Sequence, residues 1–575
     1  MSNQACRSIR GIAVAAGFVL IALQPVSALS ADENDGEPAT EFTPPPIEVP
    51  DGFVVELVAG PPLVKYPMMA ALDDRGRLFI AESDGQNPGK EELLEQPSRF
   101  VRMIEDTDRD GVFDKSTIYA DRMVMPEGAL CHIGTFYILS APYLWRLDDL
   151  DQDGVADQRK QLLGEMDLIG NANQHGPYLT PAGRLLFSGG TFGYNLVGSD
   201  GGPSIRGNWA SVFSCNIDGG DVRVESHAGI NPVEVVFTPE GEMLGTCAIF
   251  DRVGGRCDAL VHWVHGGTYA EPLREPVLKH TGRYLPAAVR WGQVAPAGLV
   301  RMRGSHFGDD YRGNLFACHY NTHQLVRIRV ERLGATFRGE SEVFLSSPSN
   351  DFHPADVLED ADGSLLLIDT GAWLTMGCPT SAEESDGQFG AIYRIRRIDA
   401  PVLEDPRGRN IDWANTPSSK MTVLLDDPRP AVRDRVMSTL AVRGDESITD
   451  LARAVADSKS PTRRRSAVWT LSRIGTEPAR KALIAALDDE DESVRQCAVH
   501  ALGVLREPAA IDRLTRTVVN DELPIRREAA TAIGLIGQPD VVPAIFESLR
   551  SAKDEFLEHA LIYALIEIND ASAVE

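Results

Sequence analysis

The sequence predicts a six-bladed β-propeller followed by an α-solenoid of stacked helix pairs. Three observations lead there. The chain has 575 residues, too many for one hydrophobic core. From about residue 50 to 397 a hairpin signature recurs, an apolar run, a Gly-containing turn and a second apolar run, with the glycine at positions 76, 134, 183, 241, 313 and 363. Beyond residue 420 the pattern changes to a helical one with a step of 31 residues.

The first residues read as an address rather than a domain. Arg7 and Arg10 precede the apolar run Ile12 to Leu23 and the small residues Val26-Ser27-Ala28. A basic start, a short apolar core and small residues before the cut describe a secretory signal peptide over residues 1–28, with the mature chain at the periplasm or cell surface. The alternative is an uncleaved N-terminal anchor. Residues 29–50 are acidic and Pro-rich (Pro44-Pro45-Pro46) and read as an extended linker.

The full chain carries 56 basic and 84 acidic residues, a net charge of −28, and loss of residues 1–28 removes two more arginines. Such a surface repels nucleic acid and acidic membranes, and no nucleic-acid partner is expected. Cys131, Cys215, Cys247, Cys257, Cys318, Cys378 and Cys497 would remain, an odd number that leaves a thiol over in an oxidising compartment. Cys247 and Cys257 are the nearest pair, but spacing does not assign a bridge. No Cys-x-x-Cys-His run occurs, so no covalent haem is expected.

The propeller is assigned to residues 51–398. The six glycines are 49 to 72 residues apart, the scale of one four-stranded sheet plus loops. A two-sheet sandwich is the alternative, against which the regular spacing argues. Residues 399–416 read as a second linker and 417–575 as the solenoid. There Arg433, Arg464, Arg495 and Arg526 keep the 31-residue step, as do Val436, Ala467, Ala498, Ala529 and Ala560, and Leu440, Leu471, Leu502, Ile533 and Ala564. Small and apolar residues four apart mark one buried helix face, and Gly444, Gly475 and Gly537 mark its C-terminal end. The units resemble HEAT repeats, five helix pairs that either bind other proteins or buttress the propeller.

Two loops carry carboxylates in a metal-binding rhythm: Asp106, Asp108, Asp110 and Asp114, and Asp149, Asp151, Asp153 and Asp157, each with glycine at the sixth position. Oxygen ligands at positions 1, 3, 5 and 9 suit Ca²⁺, although Thr117 and Lys160 stand where a bidentate Glu would complete such a loop. The alternative is a pair of acidic hairpin turns. His175, in Asn173-Gln174-His175-Gly176-Pro177, stands at the mouth of the third repeated unit, where it serves either as a general base or as a partner to a loop carbonyl. His353 opens the last unit in the same way. His319 with His323, and His262 with His265, are poorly spaced for a shared metal on strands.

Beyond His175-Gly176 and Gly183-Arg184-Leu185, the runs Gly229-Ile230-Asn231-Pro232, Ala295-Pro296-Ala297-Gly298-Leu299, Arg312-Gly313-Asn314-Leu315-Phe316 and Gly390-Ala391-Ile392-Tyr393-Arg394 spread over nearly the whole propeller. With them, residues 50–397 resemble the soluble glucose/sorbosone dehydrogenases that use pyrroloquinoline quinone. Joined to HEAT-like repeats behind a signal peptide, the arrangement resembles the membrane-bound dehydrogenase family of planctomycetes and verrucomicrobia. The resemblance implies oxidation of a sugar or other alcohol. His175 would take the hydroxyl proton while hydride passes to the quinone, and Asn231 would contact the cofactor. It further implies an electron acceptor such as a cytochrome c, met through the solenoid.

Two departures matter. The family has Arg immediately before that Asn, where this chain has Ile230, which cannot stabilise oxyanion charge. The run Ala248-Ile249-Phe250-Asp251-Arg252-Val253 also lacks the family's calcium-and-quinone loop. Arg252, Arg256, Arg290 and Arg301 are the candidates to supply the missing charge. These departures favour the alternative, a non-catalytic scaffold that binds a glycan or protein partner.

Overall fold

The computed structural model describes residues 42–167, 174–227, 229–251, 255–270, 283–374 and 388–571. The predicted signal peptide, Cys6, Cys378, Arg252 and Asn173 lie outside them. Among the described residues no helix is long and apolar enough to cross a membrane.

Six antiparallel sheets form the propeller, each with its first strand innermost. The innermost strands are Pro67–Leu72, Leu130–His132, His175–Leu179, Val235–Phe237, Pro296–Arg301 and Pro354–Glu359. The sixth blade is completed by the N-terminal strand Phe53–Ala59, which pairs antiparallel with Phe389–Arg397 and ties the two ends of the ring together. The third blade gains a short parallel strand, Gly267–Thr268, beside Arg223–His227, and an inserted hairpin, Tyr194–Leu196 with Ile205–Gly207.

The turn between first and second strands holds the predicted glycine in every blade. Gly76, Gly134, Gly183, Gly241, Gly313 and Gly363 all have positive φ, between 75° and 93°, a conformation that a Cβ disfavours. The second strands read as continuous apolar runs, such as Leu185-Leu186-Phe187 and Leu365-Leu366-Leu367-Ile368. They are buried on both faces because each blade packs against a neighbour on either side.

The solenoid consists of five helix pairs among the described residues. Their second helices are Pro430–Arg443, Pro461–Ile474, Glu492–Val504, Leu523–Ile536 and Glu555–Ile568. The small and apolar positions of the 31-residue register are buried in all five. Gly475 and Gly537 cap their helices in the left-handed conformation, and Arg506 takes a positive φ at the corresponding place in the third unit.

Neither predicted linker is free where it is described. Phe42, Ile47 and Val49 pack on the core shared by the fifth and sixth blades, and Glu48 bridges to Ser346 through two backbone hydrogen bonds. The apolar residues at 47 and 49 alternate as on a strand, which outweighs the Pro-rich composition. In the second linker Arg407 is ion-paired with Asp360, and the Trp413 indole donates to the Gly408 carbonyl at 2.9 Å.

The solenoid packs on the propeller face that carries the glycine turns. The Trp469 indole donates to the Pro239 carbonyl at 3.0 Å, and Arg473 donates to the Pro181 carbonyl at 3.0 Å. Val235, Trp263 and Ala182 of the propeller share one continuous core with the solenoid helices. Buried charges fix the contact: Glu242 is paired with Arg527 and with Arg332, and His265 lies between Glu225 and Glu567.

Candidate functional site

His175 opens the innermost strand of the third blade, at the end of the channel remote from the glycine turns, opposite Ser188 on the second strand. The side chain is buried, and neither ring nitrogen has a hydrogen-bond partner. Burial pushes the imidazole down to about 4, with the nearby Asn231 side chain acting in the opposite direction. The two groups influence each other without meeting hydrogen-bond geometry, and Asn231 Oδ1 is also buried without a partner.

The third blade holds the Asn231 loop. Ser188 Oγ donates to the Pro232 carbonyl at 2.7 Å, and the Tyr178 hydroxyl lies 3.0 Å from the Val233 carbonyl. On the other side Ile230 exchanges two backbone hydrogen bonds with Ala248 of the fourth blade. Gly229 cannot be larger, since a Cβ there would stand 2.4 Å from the Ala248 carbonyl oxygen. Asn231 itself has a positive φ of 47°, which asparagine tolerates better than most residues. His175 and Asn231, proposed from sequence at a separation of 56 positions, are thus brought together at the junction of two blades.

The other blades place further polar groups at corresponding positions. Pro296 pairs with His319 and Pro354 with Asp369, as His175 does with Ser188. Asp369 accepts the backbone N–H of His353 at 2.9 Å and of Gly371 at 3.0 Å through Oδ1, while Oδ2 is unpartnered, and burial raises this carboxyl to about 7. His353 stacks near Tyr320, with ring centroids 4.5 Å apart, and burial lowers its imidazole to about 4. His319 lies against Trp291 and His323 against the Phe352 carbonyl. His262 and His265 belong to the solenoid contact instead, His262 stacking on Phe556.

Further along the channel is a carboxyl pair that the sequence reasoning missed. The Tyr178 hydroxyl lies 2.8 Å from Glu234 Oε1, and Asp356 Oδ2 accepts the Ala70 N–H at 2.9 Å. Burial, then the neighbouring Asp356, raises Glu234 well above the ordinary carboxyl range, and burial raises Asp356 to about 7. The available signal was Pro232-Val233-Glu234 and Pro354-Ala355-Asp356, a proline followed two residues later by an acid at a blade entrance.

Tyr178, Glu234 and Asp356 line a cavity of about 2320 Å³ that runs from the channel to the solenoid; His175 does not line it. Arg301 lines this cavity, at the opposite end of its strand from Pro296, and Arg290 is exposed on the outer strand of the fourth blade. Neither can replace the charge missing at Ile230. Of the described candidates, Arg256 lies nearest in register, opposite Phe250, two residues from the Ala248 that pairs with Ile230.

The two Asp-rich loops join the third and fourth strands of the first two blades. Asp106, Asp108 and Asp110 bring carboxylate oxygens within 4.8 Å of one another, as do Asp149, Asp151 and Asp153. Asp114 and Asp157 stand apart from these clusters. Asp114 accepts the Thr107 N–H at 3.1 Å and its hydroxyl at 2.6 Å, and Asp157 accepts the Leu150 N–H at 2.7 Å, so both carboxylates close their loops.

Comparison with known proteins gives two family matches. Residues 41–227 match a family described as Domain of unknown function (DUF7133). Residues 419–489 and 477–531 match the HEAT repeats. The C-terminal helices are HEAT repeats. No curated protein sequence matches the chain. Among solved structures, an oxidoreductase (glucose dehydrogenase) of Thermus thermophilus is 18% identical, with a TM-score of 0.40, over 60% of this chain and 100% of that one. The PQQ domain of pyranose dehydrogenase from Coprinopsis cinerea is 14% identical, with a TM-score of 0.42, over 62% of this chain and 98% of that one. A Trichoderma reesei member of carbohydrate-active enzyme family AA12 is 14% identical, with a TM-score of 0.42, over 63% of this chain and 100% of that one.

Proposed function

We propose that the protein is an exported quinone-dependent dehydrogenase that oxidises a sugar or other alcohol at the His175 end of the channel. The observation that carries this reading is the neighbouring pair of the buried His175 and the partly buried Asn231, in which both imidazole nitrogens and Asn231 Oδ1 are buried and unpartnered. An orphaned buried polar group costs roughly 1–3 kcal/mol, and a ligand that supplies partners offsets that cost. The residues fit part of what such a cofactor needs: a neutral imidazole to accept a hydroxyl proton and an amide to hold a carbonyl or carboxylate. Ile230 does not supply the cation, and Arg256 is the described residue best placed to do so. When bound, pyrroloquinoline quinone supplies the two-electron acceptor; the protein's part is to bind, orient and take the proton at His175.

In this reading the two Asp triads hold Ca²⁺, the solenoid or the rim of the propeller meets an electron acceptor such as a cytochrome c, and residues 1–28 direct the chain to the periplasm or cell surface. The deciding experiment is calorimetric titration of the mature chain with pyrroloquinoline quinone in the presence of Ca²⁺, for wild type and His175→Ala, alongside reduction of an artificial acceptor by a panel of aldoses. Saturable binding with aldose-dependent reduction that His175→Ala abolishes supports the proposal. Absence of quinone binding to the wild type refutes it. Ile230 favours a second reading, a non-catalytic propeller that binds a glycan or protein partner, for which glycan binding unchanged in His175→Ala is the expected result.

A further inference from the structure

The cavity between the channel and the solenoid has a chemistry of its own. Arg301 ends the innermost strand of the fifth blade, and Arg303 follows it in the turn. Arg433 and Arg473 reach the same cavity from the second helices of the first two HEAT repeats. Arg303 is neutralised by Asp434 at 2.8 Å and by Glu359 at 3.6 Å. The other three have no ion-pair partner among the described residues. There Arg301 makes no hydrogen bond, Arg433 donates to the Asp427 carbonyl at 2.5 Å, and Arg473 donates to the Pro181 carbonyl and the Ser438 hydroxyl.

The repeat register shows what Arg433, like Arg526 in the fourth unit, lacks among the described residues. Its equivalents Arg464 and Arg495 keep the same backbone bond to the residue six positions back, and each adds a carboxylate, Asp489 at 2.9 Å and Asp521 at 2.9 Å. At the place that corresponds to Asp489, one repeat earlier, the chain has Ser458. Charges of both signs then act on these arginines. Burial lowers Arg301 to about 10, Glu240 and Glu359 oppose the shift, and Arg303 and Arg433 add to it. Burial also lowers Arg433, with Arg303 adding to the effect and Asp434, Glu359 and Asp427 opposing it. Carboxylates line the same cavity, Glu359 and Asp434 among them, but these two pair with Arg303, so that Arg301, Arg433 and Arg473 face the space without an ion pair of their own among the described residues.

We infer that this cavity is a binding site for a small organic polyanion, held by Arg301, Arg433 and Arg473 through carboxylate or phosphate oxygens. The guanidinium forks suit such oxygens. The space exceeds what one inorganic ion fills, which favours a molecule carrying several anionic groups. The site is separate from His175 and does not depend on the dehydrogenase reading.

The test is calorimetry on the full mature chain in low-salt chloride buffer, with citrate as the polyanion and inorganic phosphate as the small anion. Citrate is expected to bind saturably at one site per chain, more tightly than phosphate, and at least tenfold more weakly to the double variant Arg301→Gln/Arg433→Gln. Arg453→Gln, on an exposed outer helix, is expected to bind as wild type. The melting temperature supplies an independent readout: without anion, Arg301→Gln is expected to melt at or above the wild-type temperature, because it relieves an unpaired charge. Absence of saturable citrate binding, equal binding by wild type and double variant, or a lower anion-free melting temperature for Arg301→Gln each overturns the proposal.

Discussion

Glu242→Gln tests how the solenoid is fastened to the propeller. The Glu242 carboxylate is buried at the glycine turn of the fourth blade, paired with the buried Arg527 and, at 2.6 Å, with the partly exposed Arg332. Arg527 also lies 3.5 Å from Glu528, whose other partner is His500 at 2.8 Å. Removing one member of a buried pair costs about 3–5 kcal/mol when the survivor is left uncompensated. Here Arg527 retains Glu528 and Arg332 can turn to solvent, which places the loss at about 2–3 kcal/mol, below the uncompensated case. Arg527→Met leaves Glu242 with Arg332 alone. Burial already raises that carboxyl, so it takes up a proton and the loss is about 2 kcal/mol. The double variant removes both charges, and its loss should fall within about 1 kcal/mol of wild type. The assay is urea unfolding followed by indole fluorescence, to which Trp469 at the contact contributes. If each single variant loses less than about 0.5 kcal/mol, or if the losses add in the double variant, the pair does not fasten the two parts and the reasoning fails.

Three other predictions concern protons and metals. His175→Gln should keep the fold and lower kcat of any quinone-dependent oxidation by about 10²–10⁴-fold, and the acid limb of the wild-type kcat/KM profile should lie near pH 4 rather than 6.5, because burial keeps the imidazole neutral until then. His265, which burial alone would lower, is raised to about 10 by its bonds to Glu225 and Glu567; it contributes stability that is complete below pH 6.5 and is lost as pH rises through about 10, so protease cleavage between propeller and solenoid should accelerate over that interval. Millimolar Ca²⁺ should raise the melting temperature of wild type by a few degrees, an order set by mass action, and this rise should vanish in Asp108→Asn/Asp151→Asn.

Legibility in the sequence divides along a physical line. The glycine turns could be read because each needs a local conformation that one residue type supplies. The HEAT repeats could be read because burial recurs at a fixed step. His175 and Asn231 could be named but not joined, since their proximity depends on the Ser188 and Tyr178 bonds between neighbouring blades. In residues 42–50 Pro-rich composition concealed an alternation of apolar residues, Ile47 and Val49, that packs on the propeller. The cavity arginines had no local signal. Arg433 reads as one member of a regular series, and the 31-residue step does not show which members have a carboxylate partner.

The solenoid's position constrains where a partner can bind. HEAT surfaces serve as docking faces when their helices are free, yet here the second helices are committed to the propeller through Trp469, Arg473, Arg527 and the Glu567 contact. A protein partner would therefore meet the first helices or the rim of the blades. The arrangement also gives the channel two unlike ends. One carries histidines and a carboxyl that burial holds neutral or poorly charged, suited to moving a proton. The other carries guanidinium groups, suited to holding negative charge. The Glu234 and Asp356 pair stands between them. A negative charge bound among the arginines would act on that pair across the cavity, favouring its protonated form. Occupancy of the anion site should then raise the pH at which Asp356 ionises, and the two ends would be linked by electrostatics rather than by movement of the fold.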